Sequence, residues 1–79
     1  METKEVKVGS RTFIVKELLA KDADSINWVD AKVALKQQVV LSTGLSEEEY
    51  DCLTIRERLS IVNTINEVNG LKDFQNPTN

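Results

Sequence analysis

The sequence predicts an α+β fold, with an N-terminal β-hairpin followed by two main helices and a short intervening helix. Three observations predict it. Two segments of alternating apolar and polar residues flank Gly9-Ser10, two longer segments repeat apolar residues at helical spacing, and two Ser/Thr-x-x-Glu boxes mark helix starts. We expect residues 1–71 to form a single α+β domain and residues 72–79 a disordered tail.

The hairpin is predicted from residues 4–8 and 11–16. Gly9 at the first position of a two-residue loop suits a type II′ turn, because glycine accepts a positive φ at little cost. Such a turn fixes the register and gives the hairpin one apolar face. That face consists of Val6, Val8, Phe13 and Val15. A lone two-stranded hairpin is marginal in water, so helices or a second chain must cover it.

The helices are predicted from caps and periodicity. Residues 17–30 form a connector with one short helical turn, and the first main helix runs from about Trp28 to Thr43, where Gly44 ends it. The box that begins at Ser46 opens the short helix, and the box at residues 54–57 opens the last helix, which runs to about Asn69.

Each main helix carries two apolar stripes, which together span roughly 160 to 180° of the helix surface where about 100° suffices for a simple surface helix. In the first helix, one stripe is Val29, Val33 and Val40, and the other is Trp28, Leu35 and Val39. In the last helix, one stripe is Ile55, Leu59 and Val62, and the other is Ile61, Ile65 and Val68. Either both stripes are buried, or one stays open as a binding or self-association surface. In the second case Trp28, Ile61 and Val68 are the candidate partner-binding residues. We then expect replacement of Ile61 and Val68 with Asp to abolish binding or oligomerisation while the monomer stays folded.

The charge balance argues against nucleic acid as a partner. Ten Lys and Arg stand against 13 Asp and Glu, giving a net charge of −3, and the basic residues form no cluster. The apolar runs are too short for a bilayer span, and the N-terminus lacks the apolar core of a secretory signal. Together with the single Cys52, which cannot form an intrachain disulfide, these features predict a cytoplasmic protein with no membrane contact.

The residues of catalysis are largely missing, so we expect no enzyme, cofactor or metal. The absence of His removes the commonest general base and nitrogen metal ligand. Asp51 and Glu49 beside Cys52 oppose thiolate formation. The acidic run 47–49 suits the positive end of a helix dipole, and each of the three glycines is isolated, which leaves no phosphate-binding loop.

The chain resembles small phage tail assembly chaperones encoded in prophages. The resemblance covers about seventy residues and rests on RTFIVKELLAKD, TGLSEEEYDCLT and RERLSIVNTINEVNG. It implies a cytoplasmic, non-virion protein that binds the long, helical tape measure protein during tail assembly. No catalytic residue is implied, and homo-oligomerisation stays open.

Two other classes of protein also fit the pattern. One is a small phage or virion structural subunit that assembles through its hairpin edge and an apolar helix stripe. The other is a small regulatory protein that occludes a protein partner. A tail chaperone should be soluble alone and recruit a tape measure fragment, whereas a structural subunit should polymerise and a regulator should bind a toxin or repressor.

Overall fold

The structure, a computed structural model, describes residues 2–71; the predicted tail at 72–79 lies outside the described residues. It confirms the α+β fold, with an antiparallel hairpin followed by helices. The elements in chain order are β1 (Thr3–Val8), β2 (Arg11–Lys16), α1 (Ala20–Asp24), α2 (Ala31–Thr43), α3 (Glu47–Asp51) and α4 (Ile55–Val68).

The hairpin has the predicted register. Val6 pairs with Phe13 and Val8 with Arg11 across the turn, and Gly9 takes a φ of 61°, the positive value that the predicted turn requires. Val6, Phe13 and Val15 are buried, while Ile14 on the opposite face is half exposed. The apolar face is covered by α2 and α4, so the helices supply the second layer that a two-stranded sheet needs.

The ends of α4 fix its direction along the hairpin. At the turn end, the Arg11 guanidinium lies 3.2 Å from a carboxylate oxygen of Glu57. The Thr54 amide donates to Glu57 at 2.8 Å, and this bond is the main reason why the pKa of Glu57 is lowered. At the other end, the Leu18 amide donates to Asn69 Oδ1 at 2.8 Å, and Lys4 pairs with Glu67. Helix α4 therefore runs antiparallel to β1.

The first main helix begins later than predicted. Asp30 has extended backbone angles, and its carboxylate accepts from the amides of Lys32 and Val33 at 3.0 and 3.3 Å, so α2 starts at Ala31. Trp28 and Val29 precede the helix, and a helical wheel cannot place them. The predicted end is confirmed, because Gly44 caps α2 with a φ of 77°.

The core contains one stripe of α4 and the Val62 end of the other, whose first two residues stay open. Ile61, Ile65 and Val68 are 0, 2 and 6% exposed, whereas Ile55 and Leu59 are 71 and 57% exposed. The placement of Ile61 and Val68 on an open surface is therefore corrected. Both are core residues, because the hairpin covers that side of the helix.

Ser42 is buried on α2, and its hydroxyl has no hydrogen-bond partner within the described residues. Because a buried polar group without a partner keeps its desolvation cost, we expect Ser42→Ala to raise the free energy of unfolding by about 1 kcal/mol. Urea denaturation measures the change. Thr64→Val is the control, since the Thr64 hydroxyl donates to the Ser60 carbonyl at 2.9 Å and its loss should not stabilise. An unchanged or lower stability of Ser42→Ala would contradict the expectation.

Candidate docking surface

Helix α2 carries an apolar groove on the side that faces away from the core. Its floor is formed by Val33, Val40 and Leu41, and its volume is about 410 Å³. The polar lining consists of Ser25, Lys36, Gln37 and Glu47. We call this feature the α2 groove.

The groove is open because the apolar residues of α2 occupy two different sides of one helix. Ala34, Val39 and Ser42 point inward and are buried. At 100° per residue, Val33 and Val40 lie about 160 to 180° from Ser42 and about 100 to 120° from Ala34 and Val39. The hairpin and α4 cover the inner side, and Ser25 and Glu47 flank the outer side, where Val33 is exposed and Val40 and Leu41 are half-buried.

The end of the groove near α1 is fixed by hydrogen bonds. The Asn27 amide donates to Gln37 Oε1 at 2.7 Å, which joins the connector to the second turn of α2. The Ser25 hydroxyl donates to the Asp22 carbonyl at 2.7 Å and ends α1 beside the groove. The groove lining on this side, Ser25 and Gln37, is therefore polar and uncharged.

The end near α3 carries charge. The Lys36 ammonium lies 3.3 Å from Glu47 Oε1 and 3.2 Å from Asp51 Oδ1, and it stands 5.7 Å from the centre of the Tyr50 ring. Hydrogen bonds to Asp51, and then to Glu47, raise the pKa of Lys36. The ammonium is thus engaged by α3, and its two carboxylate partners remain mostly exposed.

Trp28, the third predicted partner-binding residue, lies on the surface. Its side chain is 58% exposed, and the indole N–H donates to the Ala23 carbonyl at 3.0 Å. The bond fixes one edge of the ring against α1 and leaves the rest accessible. Val29 next to it is 97% exposed. The prediction that Trp28 contacts a partner stays a prediction.

A second apolar area lies on the first two turns of α4, and we call it the α4 patch. Ile55 and Leu59 form it, and Arg56 and Arg58 lie beside them in the sequence. It differs from the α2 groove in two ways: it is a convex helix surface, and its neighbouring charges are positive. The two surfaces therefore suit different partners.

The same residues also bear on metal binding, on the reactivity of the thiol and on membrane contact. Between Glu2 and Leu71, no group of three His, Cys, Asp or Glu side chains is placed to hold a metal ion. Cys52 is exposed at the end of α3. No helix in this part of the chain has both the length and the apolar character to cross a bilayer.

The structure brings together residues that the sequence separated. Val33 and Val40 belong to one predicted stripe, but Leu41, Gln37 and Glu47 were not predicted to join them. The spacing of Val33, Gln37, Val40 and Leu41 is the i, i+4, i+7, i+8 pattern of a helix face, so a wheel begun at Ala31 would have found most of this set.

Comparisons with family models, with curated protein sequences and with solved structures gave no match to this chain.

Proposed function

We propose that this chain is a non-catalytic binding protein that holds a helical segment of a protein partner in the α2 groove. One observation carries the proposal: besides the residues that α2 buries in the core, it carries apolar side chains, Val33, Val40 and Leu41, that line an open groove. Contiguous apolar surface on a small domain usually marks a binding site.

The dimensions of the groove suit a helix. From Val33 to Leu41 the α2 axis rises about 12 Å, which equals about two turns of a partner helix laid alongside it. A helix binds in a groove through its own apolar residues at i, i+3, i+4 and i+7, and the floor residues Val33 and Val40 stand the same seven residues apart along α2.

We further propose that the partner is a phage tape measure protein and that the chain acts as a cytoplasmic tail assembly chaperone. The resemblance in RTFIVKELLAKD and TGLSEEEYDCLT supports this assignment. A tape measure protein is long and helical, so it offers many segments with the apolar spacing that the groove requires. Covering such segments would keep the partner from aggregating before tail assembly.

A structural subunit is the second candidate, and the α4 patch favours it. Ile55 and Leu59 are exposed on a convex surface that a neighbouring copy could cover. A head-to-tail contact between different surfaces of identical copies yields rings or filaments. A chaperone instead stays soluble alone and assembles with its partner.

The test is co-expression with a candidate tape measure protein, followed by affinity capture of the complex. We expect wild type to retain the partner in the soluble fraction and Val33→Glu to lose it, because a carboxylate would be buried in the apolar floor. Val33 is the third residue of α2 and 38% exposed, so Glu there should preserve the helix and even suit its first turn.

Leu59→Glu is the matched control. It places the same side chain on an exposed apolar position of α4, outside the groove. Retention of the partner by Leu59→Glu and its loss in Val33→Glu support the proposal. The reverse result moves the interface to the α4 patch, and equal retention by both variants refutes the role of the groove.

A further inference from the structure

We propose that the α2 groove selects an amphipathic helix whose apolar stripe is flanked by Lys or Arg. This inference rests on the proposed function and adds the charge of the partner to it. The partner's cation would lie against α3, where Glu47 lines the groove and Asp51 contacts the same Lys36 ammonium.

The α3 end of the groove carries an excess of negative charge. Two carboxylates share the single Lys36 ammonium, so one negative charge is in excess. The side chains of Glu47 and Asp51 are 78 and 62% exposed, which leaves oxygen lone pairs accessible to a second cation. Glu48, the next residue of α3, is also exposed and adds to the negative field.

Lys36 is the one cation in the groove lining, and it is already engaged. Its side chain is 30% exposed, and its ammonium contacts both carboxylates and the Tyr50 ring. An acidic partner could pair with Lys36 only if these contacts were broken, and it would face Glu47 and Asp51 while doing so. A partner helix with acidic flanking residues is therefore disfavoured by the broken contacts and by the repulsion. A partner helix with basic flanking residues binds without any rearrangement of Lys36.

At the other end of the groove the polar lining consists of Ser25 and Gln37, which carry no charge. The uncompensated carboxylate of the lining therefore lies at the α3 end, and a partner helix gains most when its basic residues, or its positive N-terminal end, lie over α3.

The test uses two synthetic helical peptides of about 18 residues with identical composition. Both carry a leucine stripe at i, i+3, i+4 and i+7. The lysines flank the stripe in the first peptide and lie on the far side of the helix in the second. Equal net charge removes general attraction to an acidic chain as an explanation. Anisotropy of labelled peptides gives the affinity for the full chain at low and high salt.

We expect the flanked peptide to bind about three- to tenfold more tightly at low salt, the range that a few partly exposed ion pairs give, and the difference to shrink at high salt. Glu47→Gln should remove much of it. Glu5→Gln is the matched control, since it removes one carboxylate from the exposed face of the hairpin. Loss of the preference in Glu47→Gln alone supports the proposal.

Three results would overturn it. Equal affinity for the two peptides, with loss of both in Val33→Glu, would show that the groove binds helices without reading charge; the proposed function would stand. An equal effect of Glu5→Gln would show that only net charge matters. The chain could also self-associate in a way that blocks both peptides and that Leu59→Glu abolishes. That result would show that a second copy of the chain occupies the groove.

Discussion

Ile61→Asp is expected to unfold the protein. Ile61 is fully buried beneath the hairpin, so the substitution removes a core side chain and buries a charge without a partner. The lost side chain alone costs about 2 to 5 kcal/mol when it is truncated to Ala, and the unpaired carboxylate adds several more. A domain of this size has a total stability of about 4 to 12 kcal/mol. The cost consumes most or all of it.

Circular dichroism with thermal melting measures this effect. We expect Ile61→Asp to show no cooperative transition at room temperature or above. Leu59→Asp, two residues away on the exposed side of the same helix, should lose about 1 kcal/mol or less. A folded Ile61→Asp monomer that fails to bind a partner would instead restore Ile61 to the surface and contradict the packing described above.

Phe13→Ala is expected to have the next largest effect. Phe13 is 5% exposed at the centre of the hairpin's apolar face, and loss of a buried Phe side chain costs about 3 to 5 kcal/mol. The Arg11 guanidinium lies 4.9 Å from the centre of the ring, so the substitution also removes a cation–π contact. Because the sheet has two strands within residues 2–71, no third strand in this part of the chain compensates.

Urea denaturation gives the free energies for this comparison. Ile14→Ala is the control, since Ile14 is the next residue but lies 51% exposed on the other face. We expect a loss of about 1 kcal/mol or less for Ile14 and at least threefold more for Phe13. Similar losses at both positions would mean that the covered face of the hairpin contributes little to the core.

The hairpin and the helix caps were predictable from sequence because each depends on local chemistry. Gly9 sets the turn, and the Thr54-to-Glu57 box forms as the spacing indicates. The start of α2 was missed for a local reason as well. The Asp30 carboxylate accepts from the amides of Lys32 and Val33, which would lie within a helix that began at Trp28. A cap of this kind outweighs apolar periodicity.

The choice between open and buried stripes could not be made locally. Ile61 and Leu59 are both apolar residues on one helix, and which of them is buried depends on where the hairpin packs. The wide apolar arcs did indicate that an open stripe was possible, and Val33 and Val40 on α2 bear this out. The acidic end of the α2 groove near α3 was not predictable, because Lys36 contacts Glu47 and Asp51 only after α3 folds back against α2.

The most direct test of the central claim is the affinity of Val33→Glu for a helical segment of the captured partner, compared with that of Leu59→Glu. Titration calorimetry on folded variants gives both values. If the α2 groove holds the partner, Val33→Glu should weaken binding by at least about tenfold, which equals about 1.4 kcal/mol, while Leu59→Glu stays near wild type. Full affinity in Val33→Glu would contradict the claim that this chain binds its partner through the outer side of α2.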